Sequence, residues 1–430
     1  MTDAADDLLH FIAASPTPFH ATAEAARRLE AAGYRRLEEA EPWALAPGER
    51  VYVVRGESTL GAFELGTDPP SEAGVHLVGA HTDSPNLRIK PQPQLEAEGY
   101  HQLAVEVYGG VLLHTWLDRD LSMAGRVALR SHGAGVRTAL VDFGRALLRI
   151  PSLAIHLDRS VNQEGLKVDP QKHLAPVLAL AADGPRDLRH MLAAQLGDTS
   201  PEDILGWDLC LHDVQPPARC GPDGEMLLAP RLDNLASCHA ALQGLLLAGG
   251  ERERTRGIVL YDHEEVGSRS ARGAASPFLR TVLERLVRAL TPESGDDGFA
   301  RAMACSFVVS ADMAHAVHPN HADRHDPQHR PLLGRGPVLK VHTSQAYASD
   351  AEGWGRFEAL CRAADVTPQR FVSRNDLPCG STIGPITAAE LGVPTVDVGN
   401  PMLSMHSCRE MAAAADHPKM ISVLRRFFES

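Results

Sequence analysis

Seven cysteines in 430 residues, an odd number at no paired spacing, provide neither a CxxC knuckle nor a disulfide framework. The chain therefore reads as a reduced, cytoplasmic protein, and any metal it holds must be bound by histidine and carboxylate. No apolar stretch reaches the roughly 18 residues that a membrane span needs. The acidic start Met1-Thr2-Asp3-Ala4-Ala5-Asp6-Asp7 is followed by no apolar signal core. Basic residues are outnumbered, 42 against 55, and the formal charge of −13 argues against general binding to nucleic acid or anionic membrane. Gly380-Ser381-Thr382-Ile383-Gly384 resembles an anion-binding helix start. It lacks the lysine of a P-loop, which argues against a nucleotide. Internal repeats and long low-complexity tracts are also missing.

What remains is an ordinary globular composition, 44% apolar and 23% charged. The length exceeds the roughly 250–300 residues at which a single core stops growing, so two domains are expected. Helical spacing marks residues 5–14 and 20–32, the second stopped by Gly33. Short β-type runs follow at 51–54, 60–65 and 75–78. From about residue 96 the segments 103–107, 111–113, 126–129 and 136–141 alternate between Gly-rich turns and read as β-rich. A Pro-punctuated stretch at 170–222 closes that part. Beyond it, strands at 226–228, 258–261, 303–309, 338–341 and 395–398 interleave with helices at 235–248, 277–290, 351–364 and 385–391. That order predicts an α/β fold: a mixed, mostly parallel sheet sandwiched by helices. The catalytic domain is expected at 1–95 and 223–430, split by a β-rich insertion at 96–222.

Chemistry gathers behind the β-type runs. Ile258-Val259-Leu260-Tyr261 leads into Asp262-His263-Glu264-Glu265-Val266-Gly267. Neighbouring strand side chains face opposite ways, so Glu264 and Glu265 can serve one site only where the strand becomes a turn. Two adjacent carboxylates repel unless a cation or proton intervenes. One resolution is that one glutamate ligates a metal while the other accepts a proton from activated water. His81, Asp233, Asp312 and His406 also follow apolar runs, and the ends of parallel strands are where open α/β sheets bind ligands. Two histidines with several carboxylates and no thiolate suit a pair of divalent ions. Asp83 either holds the His81 imidazole in one tautomer or serves as a turn residue before Pro85. The tract His315, His318, His321, His325 and His329 is broken by Pro319 and Pro327, and reads as a loop at the rim of the same site.

GAHTDSP, RLDN, YDHEEVGS, SADMAHAVHPN, GPVLKV, PCGSTIGP and NPMLSMHSCREM occur in this order. Together they resemble the aspartyl aminopeptidase family of dinuclear zinc exopeptidases, from about residue 5 to the C-terminus. The resemblance implies a metalloaminopeptidase acting on peptides with a free N-terminus. It implies two zinc ions per subunit, with cobalt or manganese as substitutes. Asp233 would bridge the ions, His81 and Asp312 would complete one site, and Glu265 and His406 the other. Glu264 would be the general base and Asp83 would orient His81. The insertion would serve dimerisation within a homo-oligomer, a dodecamer built from dimers, in which His156 is lent to a neighbour's active site. His315, Lys340 and Tyr347 match positions near the substrate. Members that prefer acidic residues carry Arg before the Tyr-Ala pair. Here Ala346 stands there, which leaves preference for Asp or Glu open, with Lys340 either supplying the charge or salt-bridged structurally. The alternatives are another dinuclear amidohydrolase or carboxypeptidase, and a non-catalytic assembly scaffold.

Overall fold

The computed structural model describes residues 3–430 except 132, 134, 185, 251 and 252. They form two compact units: 1–83 with 217–405 and 410–430, and 84–216 with 406–409. The sequence predicts the insertion at 96–222. The difference at its start is the strand Asn86–Ala97, which pairs with Tyr100–Tyr108 rather than with the first unit's strands. Pro91 and Pro93 hide it in the sequence, and they fall where its register shifts between Ile89 and Gln94, a place a sheet tolerates proline.

The first unit is built on a nine-stranded sheet. Its strands are β1 (Arg35–Leu37), β2 (Arg50–Arg55), β3 (Thr59–Glu64), β4 (Val75–His81), β5 (Thr255–Tyr261), β6 (Phe307–Ala311), β7 (Val338–Lys340), β8 (Gln369–Phe371) and β9 (Thr395–Gly399), in the order β1-β2-β3-β5-β4-β6-β9-β7-β8. The four central strands β5, β4, β6 and β9 run parallel. Every residue in them is buried, as expected of a parallel sheet covered on both faces. Alternate residues feed opposite cores. Val78, Ala80, Ile258 and Leu260 join the core beneath helices α1 (Ala4–Ala13), α2 (Pro18–Ala31), α3 (Leu232–Leu247) and α7 (Asp416–Glu429). Leu77, Val259 and Tyr261 join the core beneath α4 (Phe278–Leu290) and α6 (Ile383–Leu391). Helix α5 (Ala351–Ala363) adds Phe357 and Cys361 to the first core. A smaller five-stranded sheet in this unit joins 218–220, 226–229, 410–413, 401–403 and 314–315.

The second unit contains a six-stranded antiparallel sheet, in the order 136–142, 121–130, 204–213, 86–97, 100–108 and 177–180. Within the Pro-punctuated stretch lie the helix Leu188–Leu196 and the long strand Ile204–Asp213. Two local expectations change. Residues 111–113 form no strand, and the 3-10 turn Leu113–Trp116 begins there instead. Met303 and Ala304 finish the helix Gly298–Ala304, so β6 starts only at Phe307.

One buried charge cluster ties the first unit's layers together. Glu64, 1% exposed, accepts from Arg256 Nε at 2.8 Å and the Tyr34 hydroxyl at 3.0 Å, and forms an ion pair with Arg50, whose Nε stands 2.9 Å away. Arg256 continues to Ala248 O at 3.0 Å and Phe428 O at 2.9 Å, fastening the ends of α3 and α7 to β5. Removing one member of a buried pair strands the other charge. Glu64→Gln should therefore lose about 3 kcal/mol or more and lower the thermal midpoint. Glu49→Gln, whose partner Arg35 is solvent-exposed, should leave it unchanged.

Candidate metal centre

His81 ends β4 in register with Tyr261, the last residue of β5. Its ring is 1% exposed, and Nδ1 donates to the backbone carbonyl of Asp83 at 3.0 Å. The neutral ring therefore presents the Nε2 lone pair. Nε2 lies 3.4 Å from Asp312 Oδ1, 3.5 Å from Asp233 Oδ1 and 4.0 Å from Glu264 Oε2. Asp312 directly follows β6, and its amide donates to Val398 O at 2.9 Å. Asp233 comes from the smaller sheet's side. It follows the strand Met226–Ala229 and sits at the non-helical start of α3, with no capping hydrogen bond from the residue before the helix.

The paired glutamates lie beyond the strand, where their chemistry requires. β5 stops at Tyr261, His263 turns left-handed at φ 63°, and Glu264–Val266 form a 3-10 turn closed by Gly267 at φ 91°. In this turn a ligand oxygen of each glutamate lies within 4.8 Å of the other and of a His81 nitrogen. Asp83 holds the turn in place, because its carboxylate accepts the Glu264 amide on Oδ1 and the Glu265 amide on Oδ2, each at 3.1 Å. The same carboxylate stands 3.4 Å from His81 Nδ1, so Asp83 grips the imidazole chiefly through its carbonyl and the glutamates through its side chain.

Two supporting residues escaped the sequence reading. Glu410, 2% exposed, accepts the Asp233 amide at 3.0 Å. Asp262 accepts the Ser58 hydroxyl at 2.6 Å and the His263 amide at 2.8 Å, fixing the turn from behind. A glutamate entering the apolar run Met411-Ala412-Ala413-Ala414-Ala415 was a signal for the first. Asp262 was hidden beside its catalytic-looking neighbours.

The donor set fits divalent metal. Burial, with neighbouring carboxylates contributing after it, pushes Glu264 up to about 8 and Glu265 well above the usual carboxylate range. Asp233 and Asp312 lead the groups that raise His81 well above its ordinary value, against the opposing effect of burial. Without a cation these groups must hold protons. Oxygen and imidazole donors with no thiolate match zinc and similar ions.

The other expected residues lie as follows. Lys340, 2% exposed, donates to Asp312 Oδ2 at 3.1 Å and Met313 O at 3.3 Å, and its Nζ stands 5.0 Å from the centre of the Tyr347 ring. Tyr347 is buried with Phe371, Val338 and Ala314. His315 is solvent-accessible yet recessed, edge-on to Phe371 at 5.7 Å; burial and the charge of Lys340 lower its pKa. His318 and His325 nitrogens accept the backbone amides of Asn320 and His318, and His329 pairs with Asp326, so those three are engaged in loop hydrogen bonds. Among the described residues of the first unit, the metal-type groups of three or more draw on His81, Asp233, Glu264, Glu265 and Asp312, and none draws on this tract. His406 and His156 belong to the second unit. His406 Nδ1 donates to Gly110 O at 3.0 Å, the same tautomer that holds His81, and His156 is exposed.

Residues 11–428 match the family described as Aminopeptidase I zinc metalloprotease (M18). The chain belongs to the M18 family of zinc aminopeptidases. It is 50% identical over 433 residues to the probable M18 family aminopeptidase 2 of Azotobacter vinelandii, covering 100% of this chain and 99% of that protein. It is 50% identical over 427 residues to the protein of that name from Pseudomonas entomophila, covering 98% and 97%. Among solved structures, a chain of the Ape4 and Nbr1 complex matches with TM-score 0.95 and 39% identity, over 99% of this chain and 85% of that one. The S. cerevisiae mApe1 dodecamer matches with TM-score 0.85 and 30% identity, over 99% and 96%. The M18 protein is thus a zinc-dependent hydrolase of the aminopeptidase class.

The raised carboxylates fix the sign of a pH effect in chelated protein. Glu264 keeps its proton to about 8 when folded but ordinarily loses it near 4.5. Its contribution is therefore complete below about pH 4.5 and is lost as pH rises toward 8. His81, raised above 6.5, adds stability that is likewise lost as pH rises through its folded value. The thermal midpoint of chelated enzyme should fall between about pH 5 and 8, and zinc should flatten that slope. A chelated midpoint that rises across this window would contradict the charge assignment.

Proposed function

We propose that this M18 enzyme removes the first residue from peptides with a free amino terminus, using two zinc ions per subunit. Asp233 would hold both ions, with His81 and Asp312 as the further ligands of one and Glu265 and His406 of the other. The convergence of His81, Asp233, Asp312 and the Glu264–Glu265 turn carries this reading. His406 directly follows Met405, where the chain leaves the first unit for four residues, and its fixed tautomer supports a ligand role.

Zinc bound here would polarise the peptide carbonyl and make water a nucleophile near neutral pH. Glu264 takes the proton of the attacking water and returns it to the departing amine. Asp83 keeps Glu264 and Glu265 at their stations through two backbone amides. Lys340 holds Asp312, and His315 would meet the charge that develops on the carbonyl oxygen. Seven cysteines that form no disulfide support a cytoplasmic setting. The dodecamer named for the yeast relative supports a homo-oligomer; the family resemblance adds its construction from dimers and the lending of His156 to a neighbouring site. Exposed Tyr100, Leu153, Ile155 and Leu157 favour the second unit as the dimerising part.

Glu264→Gln should retain zinc and lose turnover by about 10²–10⁴; full activity would remove the general-base role. Free peptides should be cleaved and N-acetylated ones spared, with activity abolished by chelator and restored by zinc, cobalt or manganese. Cleavage of blocked peptides would favour the amidohydrolase or carboxypeptidase reading, and no turnover with any metal the scaffold.

The buried charge of Lys340 supports acidic over basic first residues, since a cation at this wall repels lysine or arginine. Asp- and Glu-first peptides should outrun Lys- and Arg-first ones, and Lys340→Met should collapse that ratio. A wild-type preference for basic residues would contradict the role of Lys340.

A further inference from the structure

Strand β9 lies between β6, which delivers Asp312, and β7, which ends in Lys340. Its Val398 carbonyl accepts the Asp312 amide at 2.9 Å, and Leu339 pairs with Val398 across the other edge. One residue earlier, Asp397 carries a fully buried carboxylate to the opposite sheet face from Val396 and Val398. That carboxylate accepts the Ala348 amide on Oδ2 at 2.6 Å and the Thr382 hydroxyl on Oδ1 at 2.7 Å. The Ser349 hydroxyl accepts the Asp397 amide at 2.9 Å. Ala348 and Ser349 end the loop that holds Tyr347, and Thr382 caps α6.

The close approach at α6 is built into the sequence. A Cβ on Gly384 would stand 2.4 Å from Asp397 Oδ2 and 2.5 Å from Oδ1, which no side chain tolerates. The Gly380–Gly384 stretch thus has an anion at its helix start, and that anion is the chain's own Asp397. Burial raises the Asp397 pKa above its ordinary value, and the positive charge of Lys340 leads what opposes it. The carboxylate is tied electrostatically to the lysine that holds Asp312.

We propose that Asp397 is a positioning residue for peptide binding: it locks the loop 342–349 and the start of α6 to β9, the strand between those that deliver Asp312 and Lys340, and so sets Tyr347 and Lys340 against the substrate without touching it. This rests on the reading of Lys340 and Tyr347 as substrate-facing. It uses neither zinc nor Glu264 directly, so its signature is a change in binding with the metal centre intact.

The test is steady-state kinetics on zinc-loaded full-length enzyme with zinc content measured in parallel. Asp397→Asn keeps the shape but turns one acceptor into a donor facing Ala348 or Thr382. KM should rise about 10–100-fold, the scale of a lost hydrogen bond to a charged group, with kcat changing much less and zinc stoichiometry unchanged. Thr382→Val should raise KM in the same direction by less. The double variant should fall short of the product of the two effects, because both act on one contact. Thr382→Val and Ser349→Ala carry the test if Asp397→Asn fails to fold. Glu64→Gln, at the opposite end of the strands, should lose thermal stability with unchanged KM. If the Asp397 and Thr382 variants behave like Glu64→Gln, or lose zinc and kcat together, the positioning role is wrong. A wild-type enzyme that releases no free N-terminal residue would instead overturn the aminopeptidase reading itself.

Discussion

Four carboxylates and an imidazole are packed where water cannot screen them, and the first unit has to live with that repulsion. Asp233, Glu264, Glu265 and Asp312 gather around His81 with Nε2 within 3.4–4.0 Å of three of them. Gathered around one imidazole in a poorly solvated pocket, like charges cost far more than a surface pair would. The fold can hold them because the sheet beneath is rigid: four parallel strands, buried throughout, deliver His81 and Asp312 from fixed ends. Divalent metal is the natural solution to a site in which Glu264 otherwise keeps its proton to about 8.

The surroundings read as a set of devices that stop those charges from escaping one another. Asp83 uses both side-chain oxygens on the amides of the glutamate turn, Glu410 holds the amide of Asp233, and Lys340 takes the outer oxygen of Asp312. Each is buried and each acts on backbone or on the far side of a carboxylate. The faces turned toward His81 are thereby kept for the metal. His81 and His406 share a further habit, with Nδ1 given to a backbone carbonyl. Asp397 extends the same logic one layer outward, from the metal side of the sheet to the loops beside Tyr347.

Much of this was legible in the sequence because the site residues follow apolar runs, and runs of β-branched residues mark buried strands well. His81, Asp312 and the glutamate pair could be placed behind β4, β6 and β5 from that pattern alone. The turn that lets Glu264 and Glu265 share a site followed from strand geometry and Gly267. What was not legible depends on long-range packing. Nothing local in Glu410 or Asp397 says that its partner lies 177 or 49 residues away. Prolines concealed the strand Asn86–Ala97, and with it the start of the second unit. Helix α7 also went unread, although Met420, Val423, Leu424 and Phe427 lie at helical spacing. The double role of Asp83 could not be read either, since sequence separation to His81 suggested only a local contact.

The central claim is that the carboxylate cluster exists to hold two ions with Asp233 between them and Glu264 outside the coordination shell. Anomalous diffraction at the zinc edge on crystals of zinc-loaded enzyme tests it most directly. The account predicts two peaks about 3.5–4 Å apart, with Asp233 touching both, His81 and Asp312 on one, Glu265 and His406 on the other, and Glu264 on neither. A single peak, or Glu264 bound directly to zinc, would contradict it.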